Sequence, residues 1–121
     1  MAIVYALAAD LFFAERLEKA LQDLGHSPCV VDLSAGEDDP ARDPDPPDGA
    51  DLAIVDLEAG DAALALVRAA RLRGIPVLAF GPHVDAEARR SADAAGARVV
   101  TKSQLTRSIA ELVSDMLGPS S

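Results

Sequence analysis

The 121-residue sequence contains no tryptophan, one tyrosine and three phenylalanines. Any core must therefore be filled by aliphatic side chains, and with half the residues hydrophobic there are enough of them for one domain of common size. A single cysteine, Cys29, excludes an internal disulfide and a multi-cysteine metal site. Set in the apolar run CVVDL, it reads as a small buried thiol. Bases are scarce, eleven against twenty acids, for a net charge of −9. A surface of that sign repels phosphate backbones and anionic lipid, so the expected partners include neither nucleic acid nor membrane. The N-terminal MAIVYALAADLFFA lacks a basic leader region and is interrupted by Asp10, so it is neither a signal peptide nor a span. A soluble, cytoplasmic protein is expected. No GxGxxG follows the first apolar run and no GK[ST] occurs, so there is no phosphate cradle. His83 and His26 have no second histidine or serine nucleophile beside them and read as surface residues. No catalytic constellation is evident, and the expectation is a non-enzyme.

What is present is unevenly distributed. Residues 32–61 hold eleven of the twenty acids and one of the eleven bases, Arg42. Within that stretch SAGEDDPARDPDPPDGA, residues 34–50, carries four prolines. Proline removes backbone donors and keeps the preceding residue out of helix. A loop, or at most one turn, is expected there, where an alternating strand–helix chain would place its second helix. A loop that long in a compact domain is uncommon.

Elsewhere the alternation is regular. AIVYAL (2–7) is a continuous apolar run suited to a strand covered on both faces. Asp10 then caps a helix to about Leu24, with Phe13, Leu17, Ala20, Leu21 and Leu24 on one face and Gly25 as its stop. Phe12 falls on the polar face. Strands are expected at 28–33, 51–56 (DLAIVD), 75–80 (IPVLAF) and 97–101 (ARVVT). Helices are expected at 62–74, closed by Gly74; at 85–96, capped by Asp85 and closed by Gly96; and at 103–118. Residues 1–118 read as one domain and 119–121 as a frayed tail. Apolar strands alternating with helices predict an α/β, flavodoxin-like three-layer sandwich with five parallel strands in the order 2-1-3-4-5. Such sheets carry their sites beyond the strands' C-terminal ends, at the switch between strands 1 and 3. That edge collects Ala8, Ala9, Asp10, Asp56, Glu58, Gly81, His83, Thr101 and Lys102.

These residues resemble the receiver domain of two-component response regulators. ADLAIVDL resembles the third-strand segment that ends in the phosphoacceptor aspartate. IPVLAFGPHVDAEARRSADAAGARVVTKS is similar to the fourth strand through to the receiver lysine, and FFAERLEKALQDLG to the first helix. The resemblance spans nearly the whole chain apart from 34–50. It implies Asp56 as the phosphoacceptor equivalent, with Lys102 and Gly81 at the phosphate-contact positions. It also implies departures. Ala8 and Ala9 stand where receivers carry an acidic pair for Mg²⁺, leaving Asp10 and Asp56 as metal candidates. Asp10 also suits a plain helix cap. Gly81 stands where receivers have the switching serine or threonine. Ser103 replaces the proline after the lysine, so no cis peptide is expected there.

A Mg²⁺ site needs a preset octahedron of oxygens, which one or two carboxylates do not supply. The expectation is therefore a degenerate receiver, or pseudo-receiver, without cofactor: a stand-alone signal-transduction module acting by protein contact. Asp56 and Lys102 are then expected to form an ion pair at the pocket edge, or to be two solvated residues at strand ends. Receivers dock partners, or a second copy, on the face of the fourth helix, fifth strand and fifth helix. By resemblance Arg89, Arg90, Arg98 and Arg107 mark that face for a protein partner or homodimer, with Phe12 as a second contact. Two alternatives stand: a phosphorylatable response regulator whose Asp56 takes phosphate from a histidine kinase with Mg²⁺, and a small flavodoxin-like ligand-binding protein or enzyme.

Overall fold

The apolar runs become strands and the amphipathic runs become the helices that cover them. In a computed structural model of the chain, residues 2–32, 49–81 and 86–117 are described. The chain runs β1 (Ile3–Ala8), α1 (Leu11–Asp23), β2 (Ser27–Asp32), β3 (Leu52–Asp56), a 3₁₀ turn (Leu57–Ala59), α2 (Asp61–Leu72), β4 (Val77–Gly81), α3 (Ala86–Ala94), β5 (Arg98–Thr101) and α4 (Lys102–Leu117). Residues 33–48, His83, Asp85 and the tail at 119–121 lie outside the described residues, and with them the expected loop.

All five strands pair in parallel in the order β2-β1-β3-β4-β5. This is the α/β, flavodoxin-like arrangement expected from the sequence. β3 and β4 are buried along their whole length, as central strands covered on both faces must be. Side chains alternate between two cores. Tyr5, Leu7, Ala53, Val55, Val77 and Ala79 pack on one face against Leu66, Val67 and Ala92 from α2 and α3. Val4, Ala6, Leu52, Ile54, Leu78 and Phe80 pack on the other against Phe13, Leu17 and Leu21 of α1 and Leu105 and Leu112 of α4. Each fully buried valine, leucine or isoleucine among them contributes about 1.5–3 kcal/mol.

Two local details bear on the site. Asp10 caps α1 by accepting from the Phe12 N–H at 3.0 Å. At the other end of the chain the join between β5 and α4 is a capping box. The Gln104 N–H donates to Thr101 Oγ1 at 3.1 Å, and the Thr101 N–H donates to Gln104 Oε1 at 2.9 Å. The sequence pattern ends the strand at Thr101 and begins the helix at Ser103, leaving Lys102 between them. Instead the TKSQ box starts the helix at Lys102, with no intervening loop.

Cys29 is exposed, not the buried thiol expected. β2 stands at the sheet's edge beside β1 alone, and among its residues Ser27 and Cys29 are open to solvent. An apolar run predicts burial only when both faces are covered.

Candidate functional site

The C-terminal edge of the sheet gathers Ala8, Ala9 and Asp10 after β1, Asp56 at the end of β3, Gly81 at the end of β4 and Lys102 after β5. Asp56 is fully buried and is the single buried charged residue among those described. Its two carboxylate oxygens take separate backbone donors. Oδ2 accepts from the Ala9 N–H at 3.0 Å and Oδ1 from the Glu58 N–H at 3.0 Å. The first bond ties the end of β1 to the end of β3. The second caps the 3₁₀ turn that follows. Both belong to the charge-assisted class, stronger than bonds between neutral groups.

Neither expectation for Asp56 and Lys102 holds. Asp56 is not solvated, and no ion pair joins it to Lys102. The half-buried Lys102 instead places its Nζ over the ring of Phe13, 4.5 Å from the centroid. Phe13 in turn packs on Phe80, the two ring centroids 5.0 Å apart and the planes tilted by 46°. The cause is the capping box: by making Lys102 the first helical residue of α4, it sends the side chain towards α1. A cation over an aromatic face contributes about 0.5–2 kcal/mol, enough to hold the side chain there.

Gly81 is buried, and its lack of a side chain matters for space. A Cβ at this position would lie 3.1 Å from the Cβ of Leu57, itself only 6% exposed. The 3₁₀ turn capped by Asp56 therefore brings Leu57 against the place where a receiver hydroxyl would stand. Gly81→Thr should destabilise the fold by about 1–3 kcal/mol through overpacking. In a Leu57→Gly background, which removes the Cβ that makes the close contact, much of that penalty should vanish, a coupling of about 1 kcal/mol in a double-mutant cycle read by urea denaturation. Additive losses would show that the contact does not govern the position.

No group of three or more His, Cys, Asp or Glu side chains comes together among the described residues. The side-chain carboxylates at this edge are Asp56, with both oxygens engaged by N–H groups, Asp10, engaged as a helix cap, and the exposed Glu58. Ala8 and Ala9 add no side-chain oxygen. These residues do not fit the octahedral oxygen shell that Mg²⁺ demands.

The expected partner-binding arginines separate into two places. Arg89 and Arg90 line a surface cavity of about 410 Å³ with Ala86, Asp93 and Val99, between α3 and β5. Arg98 pairs with Asp115 at 3.8 Å, both side chains well exposed. Arg107 lies elsewhere, in a groove between α4 and α1 beside Phe13 and Arg16. It was grouped with the others because sequence fixes its helix but not which neighbour that side of the helix meets. Phe12 is 77% exposed and lines a cavity mouth with Asp10, Glu15, Arg16 and Lys102. It does not cover Asp56, whose burial comes from the turn and the strand ends. Among the described residues no helix is long and apolar enough to cross a membrane.

No family model matches the sequence, and no curated protein does. Solved structures match the fold across nearly the whole chain. A response regulator from Thermotoga maritima superposes with a TM-score of 0.70 at 18% identity, covering 98% of this chain and 99% of that one. The receiver domain of the TMAO respiratory system response regulator TorR gives 0.75 at 22% identity, with 97% of each chain covered. The BeF₃-activated DrrB receiver domain gives 0.73 at 17% identity, covering 98% and 99%. The fold is that of response-regulator receiver domains.

Proposed function

We propose that this chain is a receiver-like signal-transduction module that acts by protein contact and without phosphorylation of Asp56. The observation that carries this reading is the engagement of Asp56. A phosphoacceptor must present a free carboxylate oxygen to phosphorus, with a metal to neutralise the transferring oxygens. Here both oxygens are bonded to backbone N–H groups in a fully buried position. The neighbouring metal carboxylates are replaced by Ala8 and Ala9, the hydroxyl by Gly81, and the lysine is turned onto Phe13. All four departures act in one direction. They exchange a reactive pocket for a braced strand edge, in a protein of the cytoplasm that uses neither cofactor nor catalysis.

The contact surface in this reading is α3, β5 and the adjoining side of α4, the equivalent of the face by which receivers dock partners or a second copy. Arg89 supports it. Its Nε–H is buried and finds no acceptor among the described residues, a state that costs about 1–3 kcal/mol unless an acceptor arrives. A carboxylate from a partner or a second copy entering the Arg89–Arg90 cavity would supply one.

The test is modification. Protein incubated with Mg²⁺ and acetyl phosphate should show no added phosphoryl mass, and Mg²⁺ with beryllium fluoride should leave the melting temperature within about 1 °C of the untreated protein, since a ligand that does not bind the native state cannot stabilise it. A mass gain abolished by Asp56→Asn would overturn the reading in favour of a histidine-kinase substrate. Arg89→Glu with Arg90→Glu should separately abolish self-association or partner capture by this face.

A further inference from the structure

The geometry points to a second interaction surface: the groove between α1 and α4 is a docking site for an acidic peptide segment that carries an aliphatic anchor. It does not depend on the state of Asp56 or on the Arg89–Arg90 face.

Three cavities run together along this groove, and Phe13 and Arg16 line all of them. One is a small apolar slot of about 60 Å³ bounded by Leu17, Ala20, Leu105 and Ile109. Beside it opens a wider depression of about 420 Å³ whose charged lining is Arg16, Lys102 and Arg107, with the hydroxyls of Ser103 and Thr106. Carboxylates enter only at the far mouth, where Asp10 and Glu15 sit beside Lys102. The ion pairs found among the described residues are Lys19–Asp23 and Arg98–Asp115. Arg16, Lys102 and Arg107 thus have no carboxylate partner among the described residues. Lys102 is held in place from below by the Phe13 ring. α4 departs from helical geometry at Ser108 (φ −127°, ψ 29°), the residue between Arg107 and Ile109. Ile109 of the apolar slot thus follows the kink, while Leu105 of the slot precedes it on the same segment as Lys102 and Arg107.

The chemistry of the occupant follows from charge and size. Three cations without a carboxylate partner among the described residues, on a protein of net charge −9, form a local field opposite to the whole. An acidic partner is drawn to this patch against the net charge of the chain, which sets its orientation on encounter. The cations are spread over two helices along an open groove rather than converging on one point, which suits successive carboxylates better than a single phosphate. The slot holds an aliphatic side chain and is far too small for an acyl chain, which excludes an anionic lipid. An acidic segment with one leucine-like anchor satisfies both halves. Anchors in apolar slots ringed by polar contacts are the usual source of affinity in such interfaces.

The probe is a fluorescein-labelled synthetic peptide of Glu-Glu-Leu-Leu repeats, titrated with the full chain and read by fluorescence anisotropy. Two control peptides accompany it, one with lysine for glutamate and one with glycine for leucine. The acidic amphipathic peptide should bind, more weakly as salt rises, and both controls should bind at least about tenfold more weakly. Arg16→Glu with Arg107→Glu should remove binding, whereas Arg89→Glu with Arg90→Glu should not change it. Ile109→Asp should also abolish binding while circular dichroism confirms that the variant is folded. Absence of binding by the unaltered chain, equal binding of the glycine control, or indifference to the Arg16 and Arg107 reversals would overturn the proposal. So would sedimentation showing that the chain self-associates through these same residues, since the occupant would then be a second copy. Modification of Asp56 would leave every one of these outcomes unaffected, so the two readings fail separately.

Discussion

Asp56→Ala should lower the free energy of unfolding by about 2–5 kcal/mol, because it strips the acceptor from two backbone N–H groups at once and each orphaned donor costs about 1–3 kcal/mol. The Ala9 N–H and the Glu58 N–H both lose their partner. The 3₁₀ turn loses its cap, and the end of β1 loses its tie to the end of β3. Asp56→Asn should lie between the native chain and Asp56→Ala. Its amide keeps one acceptor oxygen, but the NH₂ group then faces a backbone donor. Urea titration measures the order: the midpoint should fall from native to Asn to Ala, with the denaturant slope unchanged if both ends of the transition stay the same. A carboxylate retained only for chemistry predicts the opposite, since removing an unpaired buried charge relieves desolvation. Stability unchanged or raised in both variants would remove the structural role assigned to Asp56.

The bracing role was not legible in the sequence, although the position was. DLAIVD announces a buried strand ending in a carboxylate, and β3 ends at Asp56. What the carboxylate meets is a backbone amide from Ala9, forty-seven residues away. Side-chain patterns report which residues are apolar, and they do not report where another segment's N–H points. The order of the sheet was legible for the converse reason. Each strand is a run of apolar residues whose period and length can be counted, and each helix has an apolar face matching the sheet face it covers. Two helix exits carried their own signal as well, since Gly25 and Gly74 adopt positive φ of 86° and 75°, a conformation other residues reach only with strain.

The direction of Lys102 has a signal in the sequence. Thr101 and Gln104 stand three apart, the spacing of a capping box, directly after valines whose pattern is that of a strand. The strand does end there, but the box makes the next residue helical and turns the lysine from the pocket onto Phe13. That redirection links the two surfaces. It removes from the vicinity of Asp56 the cation that a receiver uses there, and places it among Arg16 and Arg107. The same four-residue motif thus helps to close one site and to charge another. The splitting of Arg107 from Arg89 and Arg90 has a related origin. Helical periodicity groups residues on one element, while the packing of α4 between α1 and β5 decides which sides of it face which groove.

In the proposed reading Mg²⁺ is kept out by missing carboxylates, and restoring one should expose its cost. Ala8 is fully buried, as is Asp56. The pairing of β1 with β3 matches Leu7 to Val55, and continuing that register sets Ala8 alongside Asp56 on the same face of the sheet. Ala8→Asp therefore buries a second carboxylate beside the first, with Lys102 turned away from both. An uncompensated buried charge costs about 3–5 kcal/mol, and the like charge next to it adds to the penalty. The variant should unfold at much lower urea than the native chain when divalent ions are chelated. Two neighbouring carboxylates are also the minimal attraction for a hard cation, so millimolar Mg²⁺ should recover part of the loss. Ligand linkage sets the scale, about 2.7 kcal/mol when free Mg²⁺ is a hundredfold above its dissociation constant. The native chain should show no such Mg²⁺ dependence, because two engaged carboxylates and a pair of alanines offer the ion too few oxygens to replace its water shell. If Mg²⁺ stabilises the native chain as much as the variant, the alanines are not what keeps the metal out. The reading of Asp56 as a brace, rather than a reaction centre, would then lose its main support.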